Sequence, residues 1–163
     1  MKRILFTIFI SLGLLVGFSS SVYAAEAPEI VSAADPAGIL KVAKRMGPAE
    51  LSTDSDGDPK ITGKMEGKSY TIYFYGCTDN KDCSTIQFSR YWEGYDVSAE
   101  AVQKWSWERG AMAKAGLDED NDPRLRMRLN LDKGVTAGNL ANSFLWWVVL
   151  TESFEKEVLK VGK

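Results

Sequence analysis

The chain of 163 residues contains no histidine. That absence removes the commonest general base, and with it every Ser-His or Cys-His nucleophile pair. It also leaves no imidazole to complete a zinc site. Cysteine is nearly as scarce. Cys77 and Cys83 are the only pair, and their spacing is not the C-x-x-C of a redox centre. No glycine-rich phosphate loop occurs. Positive charge is not in excess: 20 Lys and Arg stand against 22 Asp and Glu, a formal net charge of -2. That balance argues against nucleic acid as a partner. An apolar run of membrane-spanning length is missing too. Ile4 to Phe18 is short for a span, and no charged stop-transfer flank follows it.

What that run does fit is an export signal. Lys2 and Arg3 precede it, and Ser19 to Ser21 lead to the small-x-small exit Val22-Tyr23-Ala24. This predicts a signal peptide over residues 1–24, cleaved after Ala24, and a periplasmic or secreted protein. No cysteine sits at the cleavage site to carry a lipid. Residues 25–34, rich in Ala, Glu, Pro and Ser, read as a flexible leader. Residues 35–163 read as one domain with one core. The whole chain's content of 45% hydrophobic and 26% charged residues is that of a globular protein. In an exported chain a lone cysteine pair predicts a disulfide, Cys77 to Cys83. Closing so short a loop stabilises by roughly 2 kcal/mol on the chain-entropy model.

The element pattern is α+β. Asp35-Pro36 is a helix start, with Asp as N-cap and Pro at the first position. Ile39, Leu40, Val42, Ala43 and Met46 form an apolar stripe, and Gly47-Pro48 ends it. Ala49 to Thr53 is a short strand. Residues 60–65 alternate, Glu66-Gly67-Lys68 is a hairpin signal, and Ser69 to Tyr75 reads as a central strand. Thr85 to Trp92 alternates again. Ser98 caps a second helix, and Ala113 to Leu117 is a weaker strand. Leu125, Met127, Leu129 and Leu131 alternate with polar residues in the cleanest half-buried strand. Thr136 caps the last helix, with Leu140, Phe144, Trp147, Thr151, Phe154 and Val158 on one stripe. Segregated strands and hairpin-length connections predict an antiparallel sheet.

One acidic turn is written twice, as D-x-D-(G/N)-D-P followed by a base and an aliphatic residue. It covers Asp54 to Pro59 and Asp118 to Pro123. The stretch TDSDGDPKI, then YFYGC, a second cysteine and IQFS, resembles the YbjN-domain family. So does the run from WSWERG through LDEDNDPRLRMRLNL to the Trp-rich last helix. The resemblance implies a fold similar to type III secretion chaperones, with helices packed on one face of a curved antiparallel sheet. It implies a sensory-transduction regulator and carries over no catalytic residues.

The acidic turns offer Asp54, Asp56, Asp58, Asp118, Asp120 and Asp122 as oxygen ligands for a divalent cation such as Ca²⁺. The spacing is not that of an EF-hand: position 12 of the two loops falls on Met65 and Leu129. A turn built by Asp and Gly or Asn, with Pro entering a strand, accounts for the same residues. Two features point to surfaces. Arg124, Arg126 and Arg128 share one strand face, in phase with Lys60 and Lys64, and such a face suits an acidic partner. In FLWWVVL, Leu145, Trp146 and Val149 fall away from the buried stripe, so that helix is either covered twice or part of an interface, such as a homodimer. The leading expectation is an exported, non-enzymatic module that docks a protein or peptide, with no catalytic residues, no cofactor and no stable membrane span. The alternative is a Ca²⁺-dependent binding or sensing protein; a carboxylate-based hydrolase ranks third.

Overall fold

The computed structural model describes residues 27–110 and 112–161. The expected signal peptide, residues 1–24, lies outside them. The described residues form a six-stranded antiparallel sheet backed by helices, with a two-stranded ribbon beside it. In chain order the elements are β1 (Ile30–Val31), α1 (Pro36–Met46), β2 (Ala49–Thr53), β3 (Pro59–Met65), β4 (Lys68–Tyr75) and β5 (Thr85–Tyr91). They continue with α2 (Ala99–Glu108), β6 (Lys114–Leu117), β7 (Pro123–Asn130), β8 (Val135–Thr136) and α3 (Ala137–Phe154). A π-helical turn, Glu155–Leu159, prolongs α3.

The helix starts are capped as the sequence predicts. The side chains of Asp35, Ser98 and Thr136 accept from the backbone N–H of Gly38, Ala101 and Asn139 at 3.0, 3.1 and 3.1 Å. Each satisfies a donor that the first turn leaves free. Strands β2 to β5 follow one another as a meander. The chain then crosses by α2, and the sheet order is β2-β3-β4-β5-β7-β6. Thus β7 enters between β5 and β6, and β6 forms the edge.

One sheet face carries the core. Ile61, Ile72, Phe74, Ile86, Phe88, Leu125 and Met127 are buried there, against Leu140, Phe144, Trp147 and Phe154 of α3. Phe88 sits at the centre, edge-on to Phe144 at 4.8 Å and tilted to Trp147 at 5.6 Å. Each large side chain so buried contributes roughly 1.5–3 kcal/mol. Gly63 belongs to this packing: a Cβ there would run into the ring of Tyr70, its cross-strand neighbour. Burial pushes the Tyr70 phenol up to about 12. Helix α2 joins through Trp105, which packs edge-on to Phe154 at 5.1 Å and donates its indole N–H to Ser153 Oγ at 3.0 Å.

The end of α3 is pinned by charge. Glu155, 7% exposed, accepts from Lys68 Nζ at 2.6 Å, Arg90 Nη2 at 2.9 Å and Trp92 Nε1 at 3.2 Å. A buried carboxylate needs this many partners, because an unpaired charge there is costly.

The expected flexible leader is not free of the fold in its described part. Ile30 and Val31 pair with Thr136 and Val135, and Val31 and Ala33 are buried. The Glu29 carboxylate accepts from Lys41 at 2.7 Å and Arg45 at 3.1 Å, which holds its pKa below the usual carboxylate value. A two-residue strand is too short to show a period. Its order comes from docking against the start of α3 and the side of α1.

Candidate functional site

Among the described residues no helix covers the second face of the sheet, and its side chains are set by strand register. One row runs Lys60, Tyr73, Gln87, Arg128 across β3, β4, β5 and β7. The next runs Glu50, Thr62, Thr71, Ser89, Arg126, Lys114 from edge to edge. Tyr91 lies opposite Arg124, and Lys64 opposite Ser69. The phase relation read from the sequence therefore holds: Arg124, Arg126 and Arg128 share a face with Lys60 and Lys64, and Lys114 joins them. Among the described residues none of these six cations forms an ion pair. A shallow recess of about 1230 Å³ lies along the first strands of this face, bordered by Glu50, Thr62, Lys64, Thr71, Ser89 and Tyr91 among others.

A polar network underlies the face. Gln87, 5% exposed, accepts through Oε1 from Arg128 Nη2 at 2.9 Å and Nε at 3.2 Å. Its amide donates to Ser89 Oγ at 3.1 Å and Tyr75 Oη at 3.4 Å. The Arg128 guanidinium also stacks 4.4 Å from the Tyr75 ring centroid. Burial, then the neighbouring phenols of Tyr91 and Tyr75 and the Asp54 carboxylate, hold the Tyr73 phenol above its usual value. Sequence reading assigned Gln87 no role. The only signal was an amide placed between two inward apolar residues, Ile86 and Phe88.

The two acidic turns share one geometry. In the first, Asp54 Oδ1 accepts from the N–H of Asp56 and Asp58, both at 3.0 Å. In the second, Asp118 Oδ1 accepts from Asp120 at 3.1 Å and Asp122 at 2.9 Å. Gly57 and Asn121 occupy the left-handed position of each turn, at φ 89° and 64°. That conformation favours Gly and Asn, which explains the G/N alternation in the motif. The last Asp of each turn ties a neighbouring loop: Asp58 accepts from Asn80 Nδ2 at 3.0 Å, and Asp122 from the Gly94 N–H at 2.9 Å. The first Asp carboxylate is thus turned toward the backbone and the third toward another loop. Among the described residues no three acidic or cysteine side chains gather as a metal ion needs.

Cys77 and Cys83 are joined by a disulfide. The loop they close carries Asn80, which also donates to the Asp56 carbonyl at 2.9 Å. The bridge and the first acidic turn therefore form one end of the sheet.

On α3, Leu145, Trp146 and Val149 are 53%, 46% and 53% exposed. They point away from the core stripe, as the helical wheel predicts. Trp105 is buried and Trp107 is 90% exposed. Among the described residues no helix is long and apolar enough to cross a membrane.

Among curated proteins none matches the chain. Among solved structures, a Yersinia pestis type III secretion chaperone, SycH, crystallised with a stable fragment of YscM2, is 13% identical, with a TM-score of 0.44. That likeness covers 70% of this chain and 93% of the chaperone chain. The sequence from α1 to the π-helical turn, residues 35–160, matches the family described as "YbjN: Putative bacterial sensory transduction regulator", and the chain belongs to that family.

Proposed function

We propose that this protein is an exported YbjN module without catalytic activity, which docks a protein or peptide partner on the open face of its sheet. Residues 1–24 act as the export signal, and residues 35–163 are the single domain that remains. The disulfide between Cys77 and Cys83 fits an oxidising compartment. The observation that carries the reading is the make-up of the open face. It presents Arg124, Arg126 and Arg128 beside Tyr73, Tyr75 and Tyr91. Arg and Tyr are the residues enriched where proteins bind one another. A face that serves folding alone has no need of six cations in a chain of net charge -2.

The test places a photo-crosslinking residue at Tyr73, at Trp146 and at Lys41 in separate exported variants. The reading expects a covalent adduct with another protein at Tyr73 and none at Lys41. An adduct at Trp146 with none at Tyr73 would move the docking surface to α3. Mature protein should begin at Ala25 by N-terminal sequencing.

A further inference from the structure

The cations of the open face are not spread evenly. Lys114 and Arg126 are direct cross-strand neighbours, and Arg128 lies two residues further along β7. Like charges facing one another across a ladder are destabilising. The next residues in that row are Ser89, Thr71 and Thr62, none of them acidic. The first carboxylate is Glu50 on β2, four strands from Arg126, roughly 19 Å away at ordinary strand spacing. The three cations line a cleft of about 560 Å³, roofed by the α2–β6 connection at Gly110, Met112 and Ala113 and floored by Gln87.

Arg128 is held ready. Gln87 takes its Nε and Nη2, and Tyr75 holds the plane of its guanidinium. Gln87 is in turn fixed by Ser89 and Tyr75. A guanidinium positioned in this way loses little freedom on binding. Arginine forks match carboxylates, and a lysine beside them adds a point charge.

We propose that the cleft of Lys114, Arg126 and Arg128 is a carboxylate site that anchors an acidic peptide segment of the partner. This rests on the reading of the open face as a docking surface. The outline of the face favours a peptide over an anionic lipid surface. The two acidic turns stand at opposite strand ends, one beside the start of β3 and the other beside the start of β7. A broad anionic plane would meet both rims and be repelled, whereas a narrow segment can enter between them.

The test titrates a deca-glutamate peptide into the disulfide-bonded domain by calorimetry, at low and at physiological salt. Parent protein should bind, and more weakly as salt rises. Arg126→Ala and Lys114→Ala should each lower affinity by roughly fivefold. Arg126→Lys should lose less, and Lys41→Ala, on α1 beside the opposite edge of the sheet, nothing. Circular dichroism melts confirm that each variant is folded. Equal affinity of parent and Arg126→Ala would overturn the site. If the Tyr73 adduct nevertheless forms, the docking surface stands and only the carboxylate site falls; loss of both would remove both readings. Binding of phosphatidylglycerol vesicles through the same arginines, with none of the peptide, would also overturn the proposal.

Discussion

Strands β5 and β7 each serve two faces, and the faces obey different rules. On one side Ile86, Phe88, Leu125 and Met127 are buried under α3. On the other side lie Gln87, Ser89, Arg126 and Arg128, with Arg128 exposed above a buried Gln87 and Ser89. The four side chains under α3 are explained by burial. On the second face the Gln87 network is satisfied and holds Arg128, but Lys114 and Arg126, without an ion pair among the described residues, face one another as like charges. The same backbone thus separates what the fold needs from what the fold leaves over, and the surplus is where a binding function is to be sought.

The contrast breaks most sharply at Phe88. Phe88→Ala should destabilise by about 3–5 kcal/mol, because it opens a cavity between Tyr70, Phe144 and Trp147. Gln87→Ala, one residue away, should cost clearly less. Urea unfolding of the two variants measures the gap. Next comes Glu155→Ala, expected to cost about 3 kcal/mol by leaving Lys68 and Arg90 without their anion. Glu155→Gln should recover part of that loss by retaining the hydrogen bond from Trp92.

Smaller effects belong to the strand ends. Asp54→Ala and Asp118→Ala each strip two backbone N–H groups of an acceptor, and each should cost about 1–2 kcal/mol. Because the carboxylates serve the turns, added Ca²⁺ should leave the melting temperature of the parent unchanged. A Ca²⁺-dependent rise that Asp118→Ala abolishes would overturn that account. At alkaline pH, Tyr70 makes the covered face sensitive. Its phenol ionises at about 12 when folded and near its ordinary 10.0 when unfolded. Its contribution is therefore complete below pH 10 and is lost as pH rises toward 12. Tyr70→Phe should flatten the pH dependence of stability in that window, read from urea midpoints.

Much of the covered face was legible in the sequence, for a physical reason. The helical stripe from Leu140 to Phe154 and the alternation from Leu125 to Leu129 are local periods, and local periods are written in local residues. Asp35, Ser98 and Thr136 announced their caps in the same way. The insertion of β7 between β5 and β6 was not legible, because strand order is decided by contacts far apart in the chain. Nor was the pairing of Ile30 and Val31 with β8, since two residues carry no pattern. The cage around Glu155 draws Lys68, Arg90 and Trp92 from separate strands and strand ends, so none of them stood out. The open face was half visible: the arginine phase was clear, whereas Gln87 beneath Arg128 and Lys114 opposite Arg126 needed the register.

The smallest expected effect on folding is also the most informative. Replacing Arg126 by Glu should leave the melting temperature close to that of the parent, because no partner within the described fold is lost. The same variant, carrying the photo-crosslinking residue at Tyr73, should lose the protein adduct that the parent forms. A folded Arg126→Glu variant that crosslinks at the parental yield would contradict the claim that this cationic face is the docking surface.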